Sequence, residues 1–310
     1  MLDVPDISIV VPVYGSDETL VPLYERVAAV CEKIAVGFEI IFVDDCGPGN
    51  PWAIINQMAR NDSRVKGLKL SRNFGQHNAI MAGLDLSRGR WIVVMDCDLQ
   101  DRPEEIPRLW EKTREGHDVV IGRRVERRDG LLKRLCSDFF HRIFRIMTDH
   151  KSDTAQANFA IYSRSAVDAV RNMPEQPRVL PLLVRNAGYR VETIDIEHGR
   201  RFRDKSGYTF VRRLSLAMNI LIPCSDKPLR KWAYFWLMMS FAAIVCAISF
   251  FIREDLLGYP AGRTFINSLS LCFFGFLFLA AGVAGIYVRM IFDSHKDKPV
   301  YIVKERTQTL

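Results

Sequence analysis

The chain has 310 residues, 48% hydrophobic and 25% charged, with 43 Lys and Arg against 36 Asp and Glu for a net charge of +7. At roughly 100–200 residues per domain this allows about two domains with an ample buried core, and it excludes disorder, collagen and coiled-coil rods. Seven cysteines, widely scattered and without a Cys-x-x-Cys pair, argue against a zinc ribbon or a disulfide scaffold and fit a reducing, cytosol-facing environment.

The opening Met1-Leu2-Asp3-Val4-Pro5-Asp6 is acidic and the apolar run after it is short, which does not read as a secretory signal. Short β-branched or continuous apolar runs predict strands over residues 7–13, 38–43, 65–70, 91–95 and 118–121. Between them, residues 19–35, 51–60, 75–87 and 103–115 have helical spacing. Strands alternating with helices predict an α/β domain with a mostly parallel sheet covered on both faces, its most apolar strands, the second and fourth, at the centre.

The far end is different. Residues 232–252 and 264–288 are almost wholly apolar, and both exceed the roughly 18 residues expected of a membrane-spanning helix. A buried helix hairpin is the alternative, but two such runs in succession rarely fit one soluble core. Gly275, Gly282 and Gly285 suit close helix contact in lipid and permit association between copies of the chain. Arg212, Arg213, Lys227, Arg230 and Lys231 precede the first run and Arg289, Lys296, Lys298, Lys304 and Arg306 follow the second, whereas the connector has only Arg253 and Arg263 against Glu254 and Asp255. This asymmetry predicts a cytoplasmic membrane protein whose large N-terminal part and C-terminal tail face the cytoplasm. The expected organisation is a soluble domain over 1–207, an interfacial amphipathic linker over 208–231, two spans within 232–289 and a tail over 290–310.

In parallel sheets ligands bind beyond the carboxyl ends of the strands. There the chain places Asp44 and Asp45 after the second strand, and Asp96-Cys97-Asp98-Leu99-Gln100-Asp101 after the fourth. No G-x-G-x-x-G or Walker loop follows the first strand, where Pro12-Val13-Tyr14-Gly15 stands instead, which argues against a dinucleotide-dependent dehydrogenase and a P-loop ATPase. Converging carboxylates repel unless donors or a cation compensate them. Two Asp one residue apart with a nearby Gln oxygen suit Mg²⁺ or Mn²⁺, whose shell diphosphate oxygens would complete; a solvated acidic turn starting a helix is the plain alternative.

Pro12-Val13-Tyr14, Val43-Asp44-Asp45, Leu70-Ser71-Arg72-Asn73-Phe74-Gly75-Gln76 and Met95 through Pro103 occur in order. Together they resemble the family 2 glycosyltransferases of GT-A fold, and within them the polyprenyl-phosphate branch. The resemblance extends over nearly the whole chain, including the two apolar runs and the tail Lys298-Pro299-Val300-Tyr301-Ile302-Val303. It implies that a nucleotide-diphosphate sugar is bordered by Pro12, Tyr14, Asp44, Asp45, Arg72, Asn73 and Asp96, and that Asp96, Asp98 and Gln100 hold Mg²⁺ or Mn²⁺. A helix-entry turn with a solvated Arg is the other reading of Arg72 and Asn73. His77 has no His or Cys partner near it in sequence and reads as a packing or surface residue.

On the acceptor side the chain is basic and apolar together. Arg123 and Arg124 follow the fifth strand, and Lys133, Arg134 and Ser137 lie in a stretch where Leu131, Leu135, Phe139, Ile143 and Met147 recur every four positions. Such a helix can lie in the membrane interface or pack on the soluble domain. Residues 208–222 form a second interfacial candidate. Ahead of it, Arg201, Ser206 and Tyr208 match the resembled Arg-x-x-Gly-x-Ser-Lys-Tyr pattern, while Asp204 and Gly207 depart from its Gly and Lys, and Lys205 supplies a neighbouring charge. The resemblance makes Arg123, Arg124, Lys133, Arg134, Ser137, Arg201, Lys205 and Ser206 the grip on a polyprenyl phosphate, with Asp96, Asp98, Arg123 and Arg201 nearest the chemistry. No nucleic-acid module accompanies this charge. The Gln-x-x-Arg-Trp motif of processive polysaccharide synthases is missing, since Ser87 precedes Arg90-Trp91 where Gln is required. A catalytically inactive nucleotide-binding membrane scaffold is the remaining alternative, opposed by retention of Asp96, Asp98 and Gln100.

Overall fold

The computed structural model describes residues 4–124, 156–173, 179–197 and 299–307, together with scattered helical positions between 234 and 291. The chain divides into two compact units, one of residues 1–141, 152–209 and 298–310, the other of residues 142–151 and 210–297.

The first unit is built on one sheet. In chain order its elements are β1 (Ile7–Val13), α1 (Leu20–Lys33), β2 (Phe38–Asp44), α2 (Pro51–Asn61), β3 (Val65–Leu70), α3 (Gln76–Leu86), β4 (Trp91–Val94), α4 (Ile106–Thr113), β5 (Val119–Arg124), β6 (Gln156–Ser163), α5 (Arg164–Arg171), α6 (Leu180–Asn186), β7 (Val191–Ile196) and β8 (Val303–Arg306). The strand order is β7-β5-β6-β4-β1-β2-β3-β8. β1 pairs in parallel with β2 and β4, β2 with β3, and β5 with β7, whereas β6 runs antiparallel to both β4 and β5 and β8 runs antiparallel to β3. The five strands read from the sequence are all present. The sheet is therefore mostly parallel, with two reversed strands, β6 and β8, beyond the five read from the sequence.

All seven residues of β1 and of β2 are buried, as strands covered on both faces require. Alternate side chains feed two cores. Ile7, Ile9, Val11 and Val13 pack with Leu23 and Val27 of α1, Ile55 of α2 and Leu109 of α4. Val10, Ile41 and Val43 pack on the other face with Ile80 and Leu84 of α3, Val167 of α5 and Leu183 of α6. A Cβ on Gly83 of α3 would lie 2.4 Å from Val10 Cγ1, so glycine is what lets this helix sit down on the central strand.

β8 carries the chain from beyond the second apolar run back into the sheet. Ile302 O accepts from Ser71 N at 2.8 Å, Gly67 O accepts from Thr307 N at 3.1 Å, and Glu305 accepts from Trp52 Nε1 at 2.9 Å. Tyr301 donates its hydroxyl to Asp85 at 2.6 Å. Part of the segment read as a tail thus completes an edge of the soluble unit, where Lys304, Glu305 and Arg306 keep the edge charged.

In the second unit the described residues of both apolar runs are helical, and several of their large side chains are exposed, with Met238 and Phe241 each 69% accessible, while Trp236, Met239 and Tyr287 are half-buried. Trp236 and Phe276, one from each run, meet edge to face at 6.2 Å. Among the described residues no helix is long and apolar enough to cross a membrane. Most positions of the two expected spans, and the expected interfacial segments 131–147 and 208–222, lie outside the described residues.

At the amino ends of the strands a buried polar cluster closes the sheet. Glu39 accepts from Ser8 Oγ at 2.5 Å, Lys66 Nζ at 2.5 Å and Arg88 N at 2.7 Å. Burial alone would raise the Glu39 pKa, but these bonds outweigh it and hold the carboxyl below its ordinary range. Its contribution to stability is therefore complete above the unfolded carboxylate value of about 4.3 and is lost as pH falls through the lower folded value. Glu39→Gln should leave Lys66 buried without its counter-charge and cost about 3 kcal/mol, read as a lower thermal midpoint at pH 7 and a shrinking difference from wild type as the medium is acidified. An unchanged midpoint at pH 7 would contradict this role.

Candidate active site

Because β1, β2, β3 and β4 run in parallel, the loops after them open at one edge of the sheet. That edge receives Tyr14, Asp44 and Asp45, Arg72 and Asn73, and Asp96, Asp98 and Gln100. β5 points the same way as β4, since both run antiparallel to β6, and brings Arg123 and Arg124 to the same edge.

The loops are fastened to one another. Tyr14 is 57% exposed while Pro12, one register step from the strand end, is buried. A Cβ on Gly47 would fall 2.2 Å from Gly15 N, so the first and second loops touch through backbone that only glycine permits. Asp17 accepts from Asn50 N at 2.9 Å and holds the same pair together. Thr19 donates to Cys97 O at 2.6 Å and ties the start of α1 to the loop after β4.

Asp44 and Asp45 are both 3% exposed. Asp44 accepts from Cys46 N at 3.1 Å. Asp45 accepts from Phe74 N at 2.7 Å and Gly75 N at 2.9 Å, so its carboxylate caps the entry to α3 and fixes the Arg72–Asn73 loop. Burial pushes both carboxyls above their ordinary range, against the pull of these N–H donors. Within that loop Asn73 also accepts from Gly75 N at 2.9 Å, and the Arg72 guanidinium lies 4.3 Å from the centre of the Phe74 ring. Burial lowers the pKa of His77, and among the described residues it belongs to no cluster of ligating side chains.

The Asp96–Asp101 turn is held from inside and outside. Asp101, fully buried, accepts from Asp96 N at 3.0 Å, and Asp98 accepts from Gln100 N at 3.1 Å. Leu99 between them has φ +62°, a left-handed conformation that costs a branched residue about 1–2 kcal/mol and is sustained by its packing against the first core. Asp96 Oδ1 accepts from Gln76 Nε2 at 2.6 Å and from Asn158 Nδ2 at 3.3 Å. Asp96, Asp98 and Gln100 make an all-oxygen donor set suited to a hard divalent cation. Among the described residues there is no group of three or more His, Cys, Asp or Glu placed to hold a metal by itself.

On β5, Arg123 donates Nε to Asp195 Oδ1 at 2.6 Å, its registered partner on β7, and this bond holds the Asp195 carboxyl below its ordinary range. The Arg124 side chain, and Lys133, Arg134, Ser137, Arg201, Lys205 and Ser206, lie outside the described residues. The structure adds four residues that sequence reasoning assigned no part in the site: Gln76, Asp101, Asn158 and Asp195. Gln76 and Asp101 stand inside motifs already singled out; Asn158 opens the apolar run 159–162 of β6, and Asp195 lies on β7, neither of which is among the strands read from the sequence.

The sequence signature described as Glycosyl transferase family 2 matches residues 8–171. The glycosyltransferase YkcC of Bacillus subtilis is 31% identical over 304 residues, 96% of this chain and 93% of that protein. The undecaprenyl-phosphate 4-deoxy-4-formamido-L-arabinose transferase of Pectobacterium atrosepticum is 31% identical over 314 residues, 98% of this chain and 94% of that protein. Among solved structures, glucosyl-3-phosphoglycerate synthase from Mycobacterium tuberculosis, in complex with Mn²⁺, UDP-glucose and phosphoglyceric acid, superimposes with a TM-score of 0.52 at 15% identity, over 70% of this chain and 77% of that one.

If Asp45 is the clasp of the Arg72–Gly75 loop, Asp45→Ala should speed amide exchange at Phe74 and Gly75 by about tenfold or more, the loss of one charge-assisted bond each, and leave β1 and β2 protected. Unchanged exchange at both amides would contradict the clasp.

Proposed function

The chain belongs to glycosyl transferase family 2, and from that premise we propose that it moves a sugar from a nucleotide-diphosphate sugar to a polyprenyl phosphate at the cytoplasmic face of the membrane, making a lipid-linked sugar. The observation that carries this is the reach of the likeness: the Pectobacterium relative, named for transfer to undecaprenyl phosphate, aligns with 98% of the chain, apolar C-terminal runs included. The exposed Phe241, Met238 and Phe274 of those runs support their burial in lipid.

Pro12, Tyr14, Asp44, Arg72 and Asn73 border the base and ribose of the donor, with Asp45 keeping the Arg72–Asn73 loop in place. Asp96, Asp98 and Gln100 would hold Mg²⁺ or Mn²⁺, which supplies positive charge to the departing diphosphate when bound. Arg123, Arg124, Lys133, Arg134, Ser137, Arg201, Lys205 and Ser206 surround the acceptor phosphate with charge-assisted donors. The ion pair of Arg123 with Asp195 across to β7 limits how much of its charge faces that phosphate.

A phosphate monoester has a second pKa near ~6 and is largely dianionic at neutral pH, so its oxygen attacks the anomeric carbon without a general base. The C–O bond to the diphosphate breaks as the new one forms on the opposite face, which inverts the anomeric centre. The protein positions both ends and holds the attacking phosphate without protonating it. No covalent nucleophile is required.

Asp98→Asn should lower transfer at least about 100-fold while expression and insertion stay intact; full activity would remove the cation-site assignment. Arg201→Ala should raise the KM for the lipid phosphate by about tenfold or more with little change in nucleotide affinity. An equal loss of both would overturn the acceptor assignment.

A further inference from the structure

We propose that Gln76 and Asn158 are positioning residues that aim the Asp96 carboxylate at the donor's cation, an inference that rests on the reading of Asp96 as a cation-binding residue. The two amides come from distant parts of the fold. Gln76 is the first residue of α3, and its Nε2 donates to Asp96 Oδ1 at 2.6 Å. Asn158 lies on β6, which runs antiparallel to β4 with Ala160 opposite Val94, so two steps further along it stands across from Asp96. Its Nδ2 lies 3.3 Å from Oδ1 and 3.5 Å from Oδ2. From the backbone side, Asp96 N donates to the buried Asp101. The carboxylate is therefore fixed in direction by two side chains and in height by its own peptide.

The chemistry of the two donors fits this task. An Arg or Lys at either place would also satisfy Asp96, but would cancel the charge a divalent cation needs and repel that cation. A primary amide donates a hydrogen bond and adds no net charge, so these two donors orient Asp96 without themselves neutralising it. Gln76 is exposed, where a single hydrogen bond contributes little to folding, so the bond to Asp96 is better explained by the site than by the core. β6 then has a functional reason to enter the sheet beside β4: it delivers an amide to the strand end that bears the Asp-x-Asp.

The test uses the full chain in detergent micelles, titrated with Mn²⁺ and followed by loss of the free-ion EPR signal, with UDP or GDP present. Gln76→Leu and Asn158→Leu should each weaken Mn²⁺ uptake about tenfold, the loss of one hydrogen bond to a charged group. Nucleotide affinity measured in chelator should change less than about twofold, which a general disturbance of the fold would not spare. Gln76→Leu, at an exposed position, carries the test alone if Asn158→Leu does not fold. Wild-type Mn²⁺ affinity in Gln76→Leu, or equal losses with and without metal, would overturn the inference while leaving the reading of Asp96 standing. If the wild-type chain takes up no Mn²⁺ with either nucleotide, that reading falls and the inference falls with it.

Discussion

Carboxylates gathered at one edge of a sheet repel one another, and the arrangement of this site follows from how that repulsion is compensated. β1 lies between β2 and β4 in parallel register, so Asp44, Asp45, Asp96 and Asp98 all emerge at the same edge. Asp44 accepts from Cys46 N and feels the Lys69 charge, Asp45 accepts from Phe74 N and Gly75 N and feels the Arg72 charge, and Asp96 accepts from the Gln76 and Asn158 amides. The backbone and amide donors orient the acids, and the Lys69 and Arg72 charges offset part of their repulsion.

The same contacts make the edge a connected frame. α3 begins where Asp45 caps it, and its first side chain reaches Asp96, so the second and fourth loops communicate through one helix entry. β8 adds a further tie, since Ile302 O accepts from Ser71 N one residue before Arg72. The segment beyond the second apolar run is thereby built into the strand that leads to the nucleotide-side loop.

Much of this was legible in the residues. β1 to β5 announce themselves as short apolar or β-branched runs, and Asp44, Asp45, Asp96 and Asp98 lie at the strand ends where ligands bind in parallel sheets. β7 is legible only as a half-buried strand, since Val191-Glu192-Thr193-Ile194-Asp195-Ile196 alternates instead of running apolar, and a reading by apolar runs passes over it. β8 escapes it because Val303-Lys304-Glu305-Arg306 is charged and becomes a strand through pairing with β3. The Gln76–Asp96–Asn158 contact has no local signature at all: it joins three segments that only the tertiary fold brings together. The acceptor side rests on residue types and order alone, since Arg201, Lys205 and Ser206 lie outside the described residues.

The most direct measurement is transfer from a panel of radiolabelled nucleotide sugars to undecaprenyl phosphate, in membranes containing the full chain, with Mn²⁺, Mg²⁺ or chelator. The account predicts one donor whose sugar appears on the lipid, with inverted anomeric configuration and only when a divalent cation is present. Correctly inserted protein that yields no glycolipid from any donor, or yields it equally in chelator, would contradict it.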